Sequence, residues 1–222
     1  MSVIIKRKEK QLAPEGMHLA HLIWGIDIGT HESKFGKNRK IIFSWELSEC
    51  LTVFKEKNGP EPFVLSKTYN QSLGKGASLV RDLTPWIGSG FTKRASFDID
   101  SLVGKACLVN VIHETKDGET FANIISLAPI PRGMAVPDQI LPSLVYSIED
   151  GFNGVFEQLP VWIQEKIKAS EEIAGKRPSK AEIAERNVRQ ATANATSAYE
   201  ESSAEYNEDE RCPSETVTVE DY

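Results

Sequence analysis

From Met17 to Ile28 the chain alternates. Ala20, Leu22, Trp24, Ile26 and Ile28 fall on one side, with His21, Gly25 and Asp27 opposite. A period of two predicts a strand, because successive side chains leave opposite faces of an extended backbone. Arg39 to Leu47 repeats the pattern: Arg39, Ile41, Phe43, Trp45 and Leu47 share one face, and Lys40, Ile42, Ser44 and Glu46 the other. The polar stretch between them, Gly29 to Asn38, reads as a flexible basic loop, so the two strands form an antiparallel hairpin. Pro62 to Tyr69 is a third extended run, with Phe63, Leu65, Lys67 and Tyr69 on one face. Ser78 to Trp86 predicts a short helix, since Leu79, Leu83 and Trp86 share a side at its spacing. Ser96 to Gly104 reads as a helical turn. Ala106 to Glu114 and Phe121 to Ala128 read as a closing hairpin, turned by Lys116-Asp117-Gly118-Glu119 with its Asp-Gly signal.

Five short strands with a helix before the fourth predict a mainly β body: an OB-like five-stranded barrel with a helical insertion. An SH3-like barrel or an open α+β sheet satisfies the same order. The expected division is an N-terminal arm (1–15), an OB-like domain (16–136), a helical extension (137–199) and an acidic disordered tail (200–222). In the extension, Val155, Phe156, Leu159, Trp162, Ile163 and Ile167 recur at helical spacing, and Pro160 opens a second helix there. Pro178-Ser179-x-x-Glu182 is a capping box ahead of an Ala-, Glu- and Arg-rich solvated helix to Tyr199.

Charge divides the chain in the same place. Residues 1–136 hold 18 Lys+Arg against 14 Asp+Glu, while the other 86 hold 8 against 18. Glu200 to Tyr222 alone carries nine carboxylates and one arginine, and ends in Glu220-Asp221-Tyr222. A mildly basic body with an acidic, aromatic-ended tail suits a protein that binds a polyanion and recruits partners through the tail. Acidic tails that merely solubilise are also common.

Several classes fall away. Cys50, Cys107 and Cys212 contain no C-x-x-C pair, and an odd count fits a reducing cytoplasm better than a disulfide framework. No apolar run approaches about 18 residues, and the N-terminal basic cluster follows its apolar residues, the wrong order for a secretory signal. The expected location is the cytoplasm, with no membrane partner. Gly74-Lys75-Gly76-Ala77-Ser78 lacks the spacing of a phosphate loop. His18 and His21 would leave opposite faces of a strand, and no nucleophile elbow or carboxylate cluster stands out. The reading is of a protein that is not an enzyme and holds no cofactor or metal.

Binding is the better-supported chemistry. Lys34, Lys37, Arg39 and Lys40 cluster around the first hairpin, with Phe35 among them. Lys67 and Tyr69 alternate on the third strand. Lys75, Arg81, Lys93 and Arg94 flank Trp86 and Phe91. Cations neutralise phosphates, and aromatic faces stack on unpaired bases. Most of Trp24, Phe43, Trp45 and Trp86 must be core, which leaves Phe35 and Tyr69 as the stacking candidates.

Gly16 to Pro131 resembles a family of phage-encoded replication-module proteins with an OB-type fold that bind single-stranded DNA. The resemblance lies in Gly16-Met17-His18-Leu19-Ala20, Asp27-Ile28-Gly29-Thr30 and Ile42-Phe43-Ser44-Trp45-Glu46. Its most specific piece is Pro62 to Leu73, followed by Leu79-Val80-Arg81-Asp82-Leu83 and Trp86. Where the family pattern continues Trp-Arg-Gly, this chain has Ile87-Gly88 after Trp86. The ending Glu220-Asp221-Tyr222 is similar to the partner-binding tails of bacterial and phage single-stranded DNA-binding proteins, with Tyr in place of Phe. The resemblance implies sequence-independent single-stranded DNA binding in phage replication or recombination, with replication or recombination proteins engaged through the tail. An OB-like protein-interaction adaptor without nucleic-acid binding is the competing expectation, and a homo-oligomer is compatible with both.

Overall fold

The computed structural model describes residues 11–34, 36–94 and 96–175. The expected helix at 179–199, the tail at 200–222, most of the arm, Phe35 and the Glu220-Asp221-Tyr222 ending lie outside the described residues.

Two long strands form the spine. β1 (Gly16–Ser33) and β2 (Gly36–Thr52) pair antiparallel along almost their whole length, down to Ser33 opposite Gly36. The stretch expected as a flexible loop is therefore mostly ladder. β3 (Glu61–Asn70) pairs with β2, β4 (Ala106–Lys116) with the first part of β1, and β5 (Glu119–Ala128) with β4. The spatial order is β3-β2-β1-β4-β5, all antiparallel. α1 (Ser78–Ile87) lies between β3 and β4 in sequence and touches both β3 and β5. The strand order with an inserted helix is that of a partly open OB-like barrel. Asp117 and Gly118 both take positive φ, 54° and 78°, so the Asp-Gly turn is of the mirror-image type that matches strand twist.

The first of two register shifts in β1, the other lying between Asp27 and Gly29, divides the core in two. The register shifts between Leu22 and Trp24, so Ile23 is an extra residue. Ala20 and Leu22 face the barrel interior with Phe43, Trp45, Tyr69, Leu79 and Leu83. Beyond the bulge, Ile26 and Ile28 face the opposite side with Ile42. The expected single face from Ala20 to Ile28 is thus corrected: an inserted residue reverses the inward set. Gly104 and Lys105 satisfy the Leu22 backbone at the break, at 2.7 and 3.1 Å.

The second core explains residues 137–175. β6 (Leu144–Tyr146) pairs parallel with Trp24–Ile26. Three short helices follow: α2 (Gly154–Gln158), α3 (Val161–Lys168) and α4 (Glu171–Ala174). Asn153 caps α2, its side-chain oxygen accepting from the Val155 and Phe156 N–H groups. Tyr146, Ile148, Phe156, Leu159, Ile163 and Ile167 cover Ile26, Ile28 and Ile42. Each such side chain contributes about 1.5–3 kcal/mol on burial. Glu46, wholly buried, accepts from the Ile140 and Leu141 N–H groups at 2.9 and 2.6 Å. Residues 137–175 therefore complete the same compact unit as the strands rather than forming an appendage to it. Ser96 to Gly104 is turn and irregular chain, with a 3-10 turn at Ser89–Lys93 instead of the expected helical one.

Candidate nucleic-acid interface

The sheet is open between β3 and β5, whose facing edges share no hydrogen-bond ladder. One side chain crosses the gap: Lys67 Nζ donates to the Ile124 carbonyl at 2.9 Å. Around it lies a cleft of about 310 Å³ lined by Ser66, Lys67, Arg81, Glu114, Asn123, Ile124 and Ile125. Lys67 comes from β3 and Arg81 from α1, the helix that touches both edges.

Asp82 organises these cations. It is 5 % exposed, and one oxygen takes Lys67 Nζ at 2.6 Å while the other takes Arg81 Nε at 3.1 Å. The Tyr69 hydroxyl donates to it at 3.2 Å. Burial alone would raise the Asp82 pKa, but hydrogen bonds from Lys67 and Arg81 outweigh it and hold the carboxyl below its ordinary value. Burial, and then the same carboxylate, push the Tyr69 phenol far up. Arg81 is 72 % exposed. Its Nε donates to Asp82 while most of the side chain stays in solvent.

The structure redistributes the residues singled out in the sequence. Lys67 and Arg81 share the cleft, but Lys34 and Arg39 do not line it. Tyr69 is corrected from a stacking residue to a core residue, 1 % exposed, tilted against Phe43 and edge-on to Trp45. It lies on the inward face of β3, where no base can reach its ring. Lys37 and Arg39 are not open contacts either. Lys37 Nζ meets Glu171 at 2.6 Å. Arg39 binds Asp27 through Nε and Nη2 and reaches Glu149 at 3.2 Å. Their partners lie up to 134 residues away, beyond any local pattern. Lys34, Lys75, Lys93 and Arg94 are exposed and Lys40 half-buried, none with an ion pair among the described residues.

Sequence reasoning missed Asp82, Ser66 and Asn123, the polar residues that shape the cleft. The signal for Asp82 was its place on an otherwise apolar helix face beside Leu79 and Leu83. The histidines have structural partners: His21 Nδ1 contacts Ser48 Oγ at 3.0 Å, His31 the Ile28 carbonyl and His113 the Ala13 carbonyl. Among the described residues, no helix is long and apolar enough to cross a membrane. No protein-family model matches the chain, and no curated protein matches it in sequence.

Proposed function

We propose that this protein binds single-stranded DNA without reading its sequence, as part of phage replication or recombination in the host cytoplasm. The observation that carries this reading is the seam cleft: an OB-order barrel opens between β3 and β5, and Lys67 and Arg81 come together at the opening. The likeness of Pro62–Leu73 and Leu79–Trp86 to phage replication-module proteins falls on the elements that build that cleft, β3 and α1. Lys75, Lys93 and Arg94, exposed on the segments either side of α1, supply further cations close to it in sequence.

With Phe43, Trp45 and Tyr69 buried, phosphate contacts lead and base stacking is secondary. In this reading Glu220-Asp221-Tyr222 recruits replication or recombination proteins. One observation favours the competing adaptor role: Lys37 and Arg39 are already matched by carboxylates of the same chain. An adaptor would bind a protein and show no affinity for oligonucleotides.

Fluorescence anisotropy with labelled oligo-dT, single-stranded and duplex, separates the two. The DNA-binding reading expects preference for the single strand and at least about a tenfold loss for the Lys75→Glu, Lys93→Glu, Arg94→Glu triple variant. No binding even at low salt, with a specific protein captured in a pull-down, would establish the adaptor.

A further inference from the structure

A carboxylate of the chain itself is held on the hairpin by residues that do not line the cleft. The Glu172 carboxylate sits in a notch on β1. Its Oε2 accepts from the Thr30 N–H at 2.8 Å and its Oε1 from the Thr30 hydroxyl at 2.7 Å. The notch exists because Gly29 has no side chain. Gly29 has φ +76°, and a Cβ there would lie 2.6 Å from Glu172 Oε2 and from Ile148 Cδ1. Two cations border it: Arg39 pairs with Thr30 across the ladder, and Lys37 pairs with Glu32 two steps on. Lys37 is held by Glu171, next to Glu172.

Two adjacent acids thus occupy a backbone N–H, a hydroxyl and a lysine. A phosphodiester also presents two anionic oxygens that such donors can bind. α4 is held by Ile173, which packs half-buried on the second core, and by the fully buried Ser170 before it, so the exchange concerns the exposed Glu171 and half-buried Glu172 side chains and not the helix. The Lys37–Glu171 pair is half-exposed on both sides, a class of contact that contributes little and weakens with salt.

We propose that the Gly29-Thr30 notch with Lys37 is a backbone-phosphate site, and that Glu171 and Glu172 are its displaceable internal occupants. The ligand is a phosphodiester of single-stranded DNA, so the proposal rests on the DNA-binding reading for its physiological ligand. DNA engaging the hairpin exchanges the two carboxylates for phosphates. Within Asp27-Ile28-Gly29-Thr30, Gly29 opens the notch and Thr30 supplies its donors.

The test uses the full chain, ¹⁵N-labelled, as wild type and as the Glu171→Gln, Glu172→Gln variant. Oligo-dT of about 16 nucleotides, within the site size of one OB fold, is titrated while the Thr30 amide resonance is followed. Tripolyphosphate is titrated in parallel. The Glu56→Gln, Glu157→Gln variant has the same net charge and serves as control. The expected result is a saturable Thr30 shift with both ligands and a gain in oligo-dT affinity of about fivefold over the control, lost when Lys37→Ala is added. A Thr30 resonance unmoved by either ligand in the neutralised variant, or a gain matched by the control, overturns the proposal. A Thr30 shift with tripolyphosphate in a protein that binds no oligonucleotide would keep the anion site and remove the single-stranded DNA reading.

Discussion

Lys67 on β3 donates through Nζ to the carbonyl of Ile124 on β5 at 2.9 Å, joining two strands that share no ladder. The same ammonium pairs with Asp82, so one side chain spans the seam with its charge already matched, and Arg81 is the more exposed cation at the cleft. The barrel stays open at this point because a side chain, not a backbone ladder, makes the connection.

Replacing Lys67 by Met should therefore cost stability as well as DNA affinity. Asp82 would keep Arg81 and Tyr69 but lose its closest cation. A loss of about 1–3 kcal/mol is expected at neutral pH. Asp82 has its pKa lowered in the fold, so its contribution is present above the ordinary carboxylate value and fades as pH falls through the folded value. The gap between wild type and Lys67→Met should accordingly narrow in acid. Urea denaturation at several pH values measures this, and a gap independent of pH would show that Asp82 is not the group responsible.

Gly29→Ala should be disproportionately harmful for so small a change. It places a Cβ at positive φ and against Glu172, Ile148 and Ser170, all within 2.8 Å. A cost of about 2 kcal/mol or more follows from strain and overpacking together. Thermal unfolding beside Gly36→Ala checks the mechanism. Gly36 also has positive φ, +99°, but no atom within 4 Å of the added carbon, so it isolates the conformational part.

A chain cut after residue 136 should fail to fold cooperatively, whereas one cut after 175 should melt like the full protein. The shorter chain uncovers Ile26, Ile28 and Ile42 and leaves the buried Glu46 without the Ile140 and Leu141 N–H groups. Calorimetry of the two truncations decides this. A sharp transition in the 1–136 chain would mean that the second core is dispensable.

Within the full chain, Glu46→Ala should destabilise by about 2–3 kcal/mol, since two backbone donors lose a charged acceptor. Hydrogen exchange should accelerate first at Ile140 and Leu141. Unchanged protection at those amides would remove Glu46 as the anchor of the crossing segment.

Much of this architecture is legible in the chain. β2, β3, β4, β5, α1 and the Asp-Gly turn follow directly from period and turn chemistry. The bulge in β1 is hidden because Leu22, Ile23 and Trp24 are all apolar, so an inserted residue leaves the alternation looking unbroken. That bulge decides which isoleucines face outward, and hence that residues 137–175 are needed as their cover. The site is less legible. A lysine's sequence neighbours do not tell which carboxylate will meet it, and Lys37 and Arg39 find Glu171 and Glu149 only through the docking of a distant segment. Tyr69 has the composition of a stacking residue beside Lys67, but Asp82, thirteen residues on, satisfies its hydroxyl inside the core.

The salt dependence of oligo-dT affinity tests phosphate binding at the cleft most directly. If phosphates are held by Arg81 and the exposed Lys75, Lys93 and Arg94, log K should fall linearly with log salt, and Arg81→Gln should make the slope shallower by roughly one phosphate's share, about 0.7. A flat dependence, or a slope that Arg81→Gln leaves unchanged, would contradict a cleft that holds the DNA backbone.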